Sequence, residues 1–589
     1  MSKKENMKFS GFPRETLKKE MQYSEFVEAY ESLSKTRKRL EKEAILSEIV
    51  KKLAESGHGE YIYLLRGKVY PDWDERGLGI SDKLVVKALA FAFGVDDGKI
   101  HERFRKVGDL GEIAEEFASK KKQTSLFSKK LTVGKVMWNF RKMIETEGKG
   151  AVKNKIDLVA ELLGQADGKE AKYIVRLLLS DLRVGVADAT LRDAIAGSFF
   201  KESKQEMSKV IEMAYDMAND FAVVLAAAQK GRKELEKIEI TLGRPMNVML
   251  PVKVNDIGEA FRICGRPAAI EHKYDGFRVV ISKKEDEVKL FTRRLENVTN
   301  QFPDVAKSVK EYVSGKNFII DSEVVGFDPK SGKNKPFEAI SQRIKRKYDI
   351  EKLEKELPVE IHVFDVMYYN GKSVMQEPFQ ERRKLLERIV RIKERKIRTS
   401  VQLVTDSDEE AVKFYKEALK IGEEGIMFKK LDAPYQQGRR VGFMVKMKPQ
   451  AADLDLVITG GEYGSGKRAG GLTSYTVACQ NNGEFLDVGK VSSGLKEKES
   501  EGFSYKQMDK LLQPLIISEK GKEVRVKPKI VVSVTYQNIQ GSPSYNSGFA
   551  MRFPKIVNYR PDKHVKDIAT LDDIKAEVKR MEKNRGHLG

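Results

Sequence analysis

The sequence predicts a multidomain α+β protein. It divides into an all-α domain over 1–237, a mixed α/β domain with antiparallel pairing over 238–449, and a small β-barrel with a terminal helix over 450–589. Three observations carry this. The chain has 589 residues, which at roughly 150 residues per domain gives about two to four domains. Before Pro245 the only prolines are Pro13 and Pro71, and helical periodicity dominates that stretch. After Lys237 short β-branched runs alternate with turn residues.

The segments Tyr23 to Leu53 and Lys153 to Leu182 place apolar residues at helical spacing among Lys and Glu. No internal repeat is evident. Thr241-Leu242-Gly243-Arg244-Pro245 is turn chemistry. Strands follow over Ala268–Glu271, Phe277–Ser282, Val288–Thr292, Asn317–Phe327 and Glu360–Tyr369. The last ends in Asn370-Gly371, a hairpin signal. Helices over Gln380–Lys393 and Asp408–Ile421 intervene. Beyond Pro449 five strands are expected: Leu454–Thr459, Ser474–Gln480, Phe485–Val491, Glu523–Lys527 and Ile530–Tyr536. Five short strands in so short a stretch suit an OB-fold barrel. Leu571 to Lys583 reads as a charged helix.

Composition narrows the function. Hydrophobic residues make up 40% of the chain, enough for several cores, so wholesale disorder is excluded. Lys and Arg number 109 against 88 Asp and Glu, a net charge of +21 that favours a polyanionic partner. No stretch approaches the ~20 apolar residues of a membrane span. The charged start, Met1-Ser2-Lys3-Lys4-Glu5-Asn6, has no apolar signal core behind it. A cytoplasmic protein without membrane contact is expected. Two cysteines cannot supply a disulfide scaffold or a four-cysteine zinc module.

The most informative stretch is Ala269-Ile270-Glu271-His272-Lys273-Tyr274-Asp275-Gly276-Phe277-Arg278. A strand delivers Lys273 to an Asp-Gly turn and a second strand leaves at once. A lysine of ordinary pKa, about 10.4, is protonated and inert at neutral pH. Nearby cations or desolvation must lower that value before it can attack. Arg278, Arg293, Lys446 and Lys448 are the expected source of the positive field. Taken alone, the same residues also fit a surface hairpin with a solvated lysine. A second suggestive loop, Gly461-Glu462-Tyr463-Gly464-Ser465-Gly466-Lys467-Arg468, misses a P-loop at Arg468, where Ser or Thr is required. Lys467 and Arg468 suit contact with a nucleic-acid backbone, or merely a flexible hairpin.

Lys273-Tyr274-Asp275-Gly276-Phe277-Arg278 resembles the first motif of the covalent nucleotidyltransferases, the superfamily of ATP-dependent DNA ligases, RNA ligases and capping enzymes. Six further segments resemble the rest of that series in order: Phe291–Arg294, Asp321–Val325, Val363–Val366, Glu424–Lys429, Val445–Lys448 and Met551–Lys555. The resemblance implies that Lys273 is the nucleophile and that ATP is the nucleotide. Glu271, Arg278, Arg293, Glu323, Phe364, Arg440, Lys446 and Lys448 would bind it. Phe364 would stack on adenine and Glu271 would accept from its amino group; Arg439, next to Arg440, competes for the same role. Glu323 and Glu424 would hold Mg²⁺ or Mn²⁺, and Arg552 and Lys555 would orient pyrophosphate. Two positions depart from the pattern: Met444 stands where a tryptophan is common, and Lys555 where an arginine is usual.

The helical N-terminal third points to replicative ATP-dependent DNA ligases of archaea and eukaryotes, which carry such a domain. Tyr173 to Val186 resembles its signature. Arg176 and Arg183, seven apart and so about two helical turns, would face duplex phosphates or simply solvent. NAD-dependent bacterial ligases are disfavoured, since they carry a four-cysteine zinc site. Lys120 to Phe127 resembles a truncated sliding-clamp peptide, with Gln123, Leu126 and Phe127 as the plug. Leu126 and Phe127 equally fit tucking into their own domain. The expected activity is sealing of nicked duplex DNA by a monomer. Two alternatives are an RNA-joining or capping enzyme and a non-catalytic duplex-binding protein.

Overall fold

The computed structural model describes residues 20–586, apart from 75, 79, 121–129, 202, 336, 347, 439–441, 450–452 and 465–470. Packing divides the chain into two compact units. The first runs to Val248 and takes in Ser282–Asn297; the second comprises Met249–Ile281 and Val298 onward.

The first unit is helical, as its periodicity predicts. Tyr23, Phe26, Val27, Tyr30 and Leu33 recur every three or four residues and are all buried. The expected helical segments each contain two helices. Tyr23–Lys35 and Arg39–Ser56 are separated by extended Thr36, whose hydroxyl accepts from the Lys38 amide at 3.1 Å. Ala151–Gln165 and Gly168–Leu178 are separated at Asp167, which caps the second helix in a reciprocal box with Glu170. One core of buried side chains joins them, with Phe26, Tyr30, Phe140 and Tyr173 at its centre.

The structure also corrects the expectation of no internal repeat. Residues 20–35 and 130–145 carry the same sequence of elements. Their burial matches position for position except at Ser34 and Ile144. Tyr23–Lys35 corresponds to the helix Val133–Glu145. The two copies meet in a reciprocal pair of hydrogen bonds: Tyr23 N–H to Leu131 C=O at 2.8 Å, and Val133 N–H to Met21 C=O at 3.0 Å.

The second unit opens with two sheets. In chain order the strands are β1 (Val252–Val254), β2 (Ala268–Lys273), β3 (Phe277–Lys284), β4 (Glu287–Thr292, in the first unit), β5 (Asn317–Gly326), β6 (Val359–Tyr369), β7 (Lys372–Ser373), β8 (Ile397–Thr399), β9 (Gln402–Thr405), β10 (Gly425–Lys429) and β11 (Met444–Met447). One sheet has the order β1-β11-β10-β2-β9. The other places β3 beside β5, β5 beside β6 and β6 beside β7, with β8 parallel to β6. β10–β11, β10–β2, β2–β9, β5–β6 and β6–β7 pair antiparallel, and β1–β11 and β6–β8 parallel. Asn370 and Gly371 both take positive φ, as a tight hairpin turn requires. β5 runs to Gly326 with Val324 and Val325 buried, so Glu323 lies within the strand.

The C-terminal region is β-rich. β12 (Leu454–Tyr463) organises it: β13 (Leu472–Asn481) lies along one edge, and β16 (Glu523–Val526) and β17 (Val531–Thr535) share the other. These and β14 (Glu484–Val491) correspond to the five expected strands. Four more appear: β15 (Ile516–Lys520), β18 (Asn538–Gly541), β19 (Phe549–Arg552) and β20 (Lys555–Tyr559). β15 is almost wholly exposed, so its sequence lacks the apolar alternation that marks a strand. The terminal helix spans Leu571–Gly586. Among the described residues no helix is long and apolar enough to cross a membrane.

Candidate active site

Lys273 is the last residue of β2, and the turn Tyr274–Gly276 leads into β3. β2 pairs with β10 so that Lys273 lies opposite Gly425. Glu424 therefore arrives beside the lysine, and its backbone N–H donates to the Lys273 carbonyl at 2.8 Å. Its carboxylate forms ion pairs with the Lys273 ammonium and, at 2.8 Å, with Lys448 just past β11. Burial opposes ionisation of Glu424, but the two ammonium groups hold it well below the ordinary carboxylate range. Glu323 faces the same lysine from β5. Burial pushes its carboxyl up to about 7, against the pull of Lys273 and Arg278.

The expected depression of the Lys273 pKa is not what this site shows. Burial does disfavour the ammonium, but Glu424, Glu323 and Asp275 outweigh it and raise the value. The expected cation on β3 is spent elsewhere. Arg278 donates to Asp321 from Nε at 2.9 Å and from Nη2 at 2.5 Å, and to the Met249 carbonyl at 2.7 Å. Tyr435 donates to the same Asp321 at 2.7 Å. Lys448 does sit beside Lys273, and burial and that neighbour lower its own pKa.

A second cluster lies along β2 and β6. Glu271 is 2% exposed and is not a bare acceptor. Lys429 of β10 pairs with it at 2.7 Å, Gln402 of β9 donates at 2.9 Å, and Arg383 approaches to 3.4 Å. Lys429 also donates to the Phe364 carbonyl at 3.1 Å and lies 4.7 Å from that ring's centroid. Lys429 had no expected role, although it belongs to the segment Glu424–Lys429. Phe364 is the half-exposed position within the otherwise buried centre of β6. Asp321 pairs with Asp365 and Ser322 with Val363, which leaves Phe364 as the extra residue of a β-bulge. Bulges re-aim side chains beside active sites, and here the ring turns toward Arg278, 5.3 Å away.

Lys446 and Lys448 lie two apart at the end of β11 and so on one face. From the β-rich region, Gln537 donates to Glu424 Oε1 at 3.1 Å, a contact the sequence gave no signal for. The Arg552 guanidinium lies 5.4 Å from the Phe337 ring centroid and 5.1 Å from that of Phe553, which is 69% exposed. Lys555 is exposed at the start of β20.

Arg293 follows β4 in the first unit. Arg176 and Arg183 do not lie two turns apart on one helix: the helix ends at Leu178, and Arg183 takes positive φ in the loop beyond. Both bind Asp109, each at 2.7 Å, and the Arg176 side chain is only 8% exposed. Arg439 and Arg440, Lys467 and Arg468, and Gln123, Leu126 and Phe127 lie outside the described residues.

The site thus gathers one lysine nucleophile candidate, two carboxylates, a second lysine and a lined aromatic. Similarity to known proteins runs through all three parts of the chain. Residues 248–448 match the family described as ATP dependent DNA ligase domain, 22–196 the DNA ligase N terminus, and 468–563 the ATP dependent DNA ligase C terminal region. The DNA ligase of Nanoarchaeum equitans is 46% identical over 560 residues, covering 94% of this chain and 98% of that one. The DNA ligase of Thermococcus fumicolans is 41% identical over 557 residues, with 94% and 98% covered. A solved structure named Pmar-Lig_Pre shares the fold with a TM-score of 0.56 at 17% identity, over 91% of this chain and 99% of that one. The chain therefore belongs to the ATP-dependent DNA ligases of the archaeal type.

Proposed function

We propose that the protein seals nicks in duplex DNA through an adenylate carried on Lys273. The observation that carries this is the convergence of Glu424, Glu323 and Lys448 on that single amine. In the first step Lys273 Nζ, having shed its proton, attacks the α-phosphorus of ATP. A P–N bond forms, the P–O bond to the β-phosphate breaks, and pyrophosphate leaves. AMP then passes to the 5′-phosphate of a nick, freeing the lysine. The 3′-hydroxyl attacks that phosphate, and AMP departs.

The chain's own residues prepare each group. Phe364 offers a ring face for adenine, and Lys429 fixes the orientation of Glu271, leaving that carboxylate to read the adenine edge. Arg278 braces the Phe364 side of the cleft through Asp321 and Tyr435 rather than gripping phosphate. Lys446 and Lys448 suit phosphate oxygens, and Arg552 and Lys555 suit the leaving pyrophosphate. Glu323 and Glu424 fit Mg²⁺ or Mn²⁺, since two carboxylates leave room for water and substrate oxygens in a hard ion's shell. The described residues contain no group of three or more His, Cys, Asp or Glu that would indicate a different metal site. Bound there, such a cation supplies positive charge for the triphosphate and offsets the carboxylate charge that favours the Lys273 ammonium.

Three parts share this work: 1–237 for duplex binding, 238–449 for adenylation and 450–589 as the barrel, each overlapping one of the matched stretches. Nicked duplex DNA is the substrate, the protein acts in the cytoplasm as a monomer, and Gln123 to Phe127 offers a sliding clamp its peptide. Side-by-side assays on nicked DNA, nicked RNA and capping substrates test the reading. Sealing of nicked DNA with Mg²⁺ and ATP is the expected result; activity on RNA alone would refute it.

A further inference from the structure

The turn that presents Lys273 is held from three sides. On one, the Glu424 N–H donates to the Lys273 carbonyl at 2.8 Å. On the second, Gly276 lies so close to β5 that a Cβ there would run into the Val324 carbonyl oxygen. On the third, the Glu423 carboxyl, which burial pushes up to about 8, accepts the backbone N–H of Asp275. Glu423 is 7% exposed, and Asn334 Nδ2 donates to its Oε1 at 3.1 Å. Asn334 is anchored in turn. Its loop closes with Lys330 and Ser331 amides donating to Asp328 Oδ1 at 3.0 and 2.9 Å, and with the Lys335 N–H donating to the Gly326 carbonyl at 2.7 Å.

This third side borders a cavity of about 330 Å³ lined by Asp275, Asn334, Glu423, Lys333, Arg395 and Ile421. Tyr274 of the turn is anchored separately, its ring stacked on His362 with centroids 4.0 Å apart and its hydroxyl accepting the Val401 N–H at 3.0 Å, so on the cavity side Asp275 depends on its hydrogen bond to Glu423. We propose that Glu423, fastened by Asn334, is a positioning residue that fixes the Lys273 turn for attack on ATP. It touches neither nucleotide nor the reacting atoms; it acts through the backbone of Asp275. The idea rests on the reading of Lys273 as the adenylated residue. A nucleophile displaced by about 1 Å can lose on the order of 10²-fold in rate, and Glu423 is the tie whose loss would permit that displacement.

The test is single-turnover labelling of the full-length protein with α-labelled ATP and Mg²⁺, beside sealing of DNA that already carries a 5′-adenylate. Glu423→Ala is expected to slow lysyl labelling roughly 10- to 100-fold at saturating ATP, with the ATP KM moved less than about 3-fold. Glu423→Gln retains an acceptor oxygen for Asp275 and is expected to recover most of the rate. Asn334→Ala, which leaves Glu423 in place, is expected to give a smaller loss of the same kind. Sealing of pre-adenylated DNA, where Lys273 is not the nucleophile, should fall far less than labelling. Equal loss in both assays, a rise in KM alone, or labelling at the wild-type rate would overturn the proposal. If wild-type protein is not labelled on Lys273, it is the functional reading that fails. If wild type is labelled and Glu423→Ala keeps pace with it, only the positioning role fails.

Discussion

Phe364 reaches the cleft because β6 carries one residue more than β5 between Asp321 and Ser322. A ring placed this way can stack on a base, an interaction worth about 1–3 kcal/mol. Phe364→Ala is therefore expected to raise the ATP concentration needed for half-maximal lysyl labelling roughly 5- to 150-fold, while β6, buried at its other central positions, keeps the domain folded. An unchanged ATP dependence would remove Phe364 from the base site. The residues proposed for the chemistry became legible through the resemblance: Lys273 before an Asp-Gly turn also fits a surface hairpin by itself, and Glu323 and Glu424 take their proposed roles from the order of the matched segments. The partners of Arg278 were not legible: Asp321 and Tyr435 are 43 and 157 positions away, and local sequence does not report what a guanidinium meets across such distances. Lys429 escaped for the same reason, since its partner Glu271 lies on another strand.

At the scale of elements, Asp109 ties the helix Leu110–Ser119 to the helix Gly168–Leu178 and the loop after it. It caps the first through the Gly111 amide at 2.7 Å and the Glu112 amide at 3.3 Å, and pairs with Arg176 and Arg183. Removing one partner of a buried ion pair costs about 3–5 kcal/mol because the other charge is stranded. Asp109→Ala should lower the stability of the N-terminal region by an amount of that order, measured by denaturant melting. No loss would contradict the tie. Burial alone would raise the Asp109 carboxyl, but Arg176 and Arg183 hold it below its ordinary 3.8. With the folded value below the unfolded one, its stabilisation is present above about pH 4 and is lost as pH falls through the folded value. Wild type should thus lose stability on acidification in a component that Asp109→Ala lacks. At this scale the helices were legible from apolar spacing, while the repeat of 20–35 in 130–145 was not. Its copies share burial but not residues: Glu20, Glu25 and Glu31 answer to Lys130, Lys135 and Arg141. A pattern of inside and outside survives that exchange, and identity does not.

For the whole molecule, the charge of +21 sets the expected response to salt. The logarithm of duplex affinity should fall linearly with the logarithm of salt concentration as phosphate counterions are released; a flat response would argue against phosphate contact as the main source of binding. Within the second unit, Gln537 of the β-rich region donates to Glu424, the carboxylate paired with Lys273, the proposed nucleophile. Gln537→Ala should slow lysyl labelling more than sealing of pre-adenylated DNA, because that contact belongs to the arrangement in which Lys273 and Glu424 are engaged. Equal effects on both would mean that it does not distinguish the steps. The order of domains was legible from proline usage and from the change of period after Lys237. The Gln537 contact was not, since it depends on how two regions meet.

One amine, that of Lys273, is expected to carry the nucleotide before any phosphodiester forms. Peptide mapping by mass spectrometry after incubation with ATP and Mg²⁺ tests it most directly. An adenylyl group on Lys273, absent from Lys273→Ala, is the expected result. Its absence from wild type, or its location on any other residue, would contradict the account.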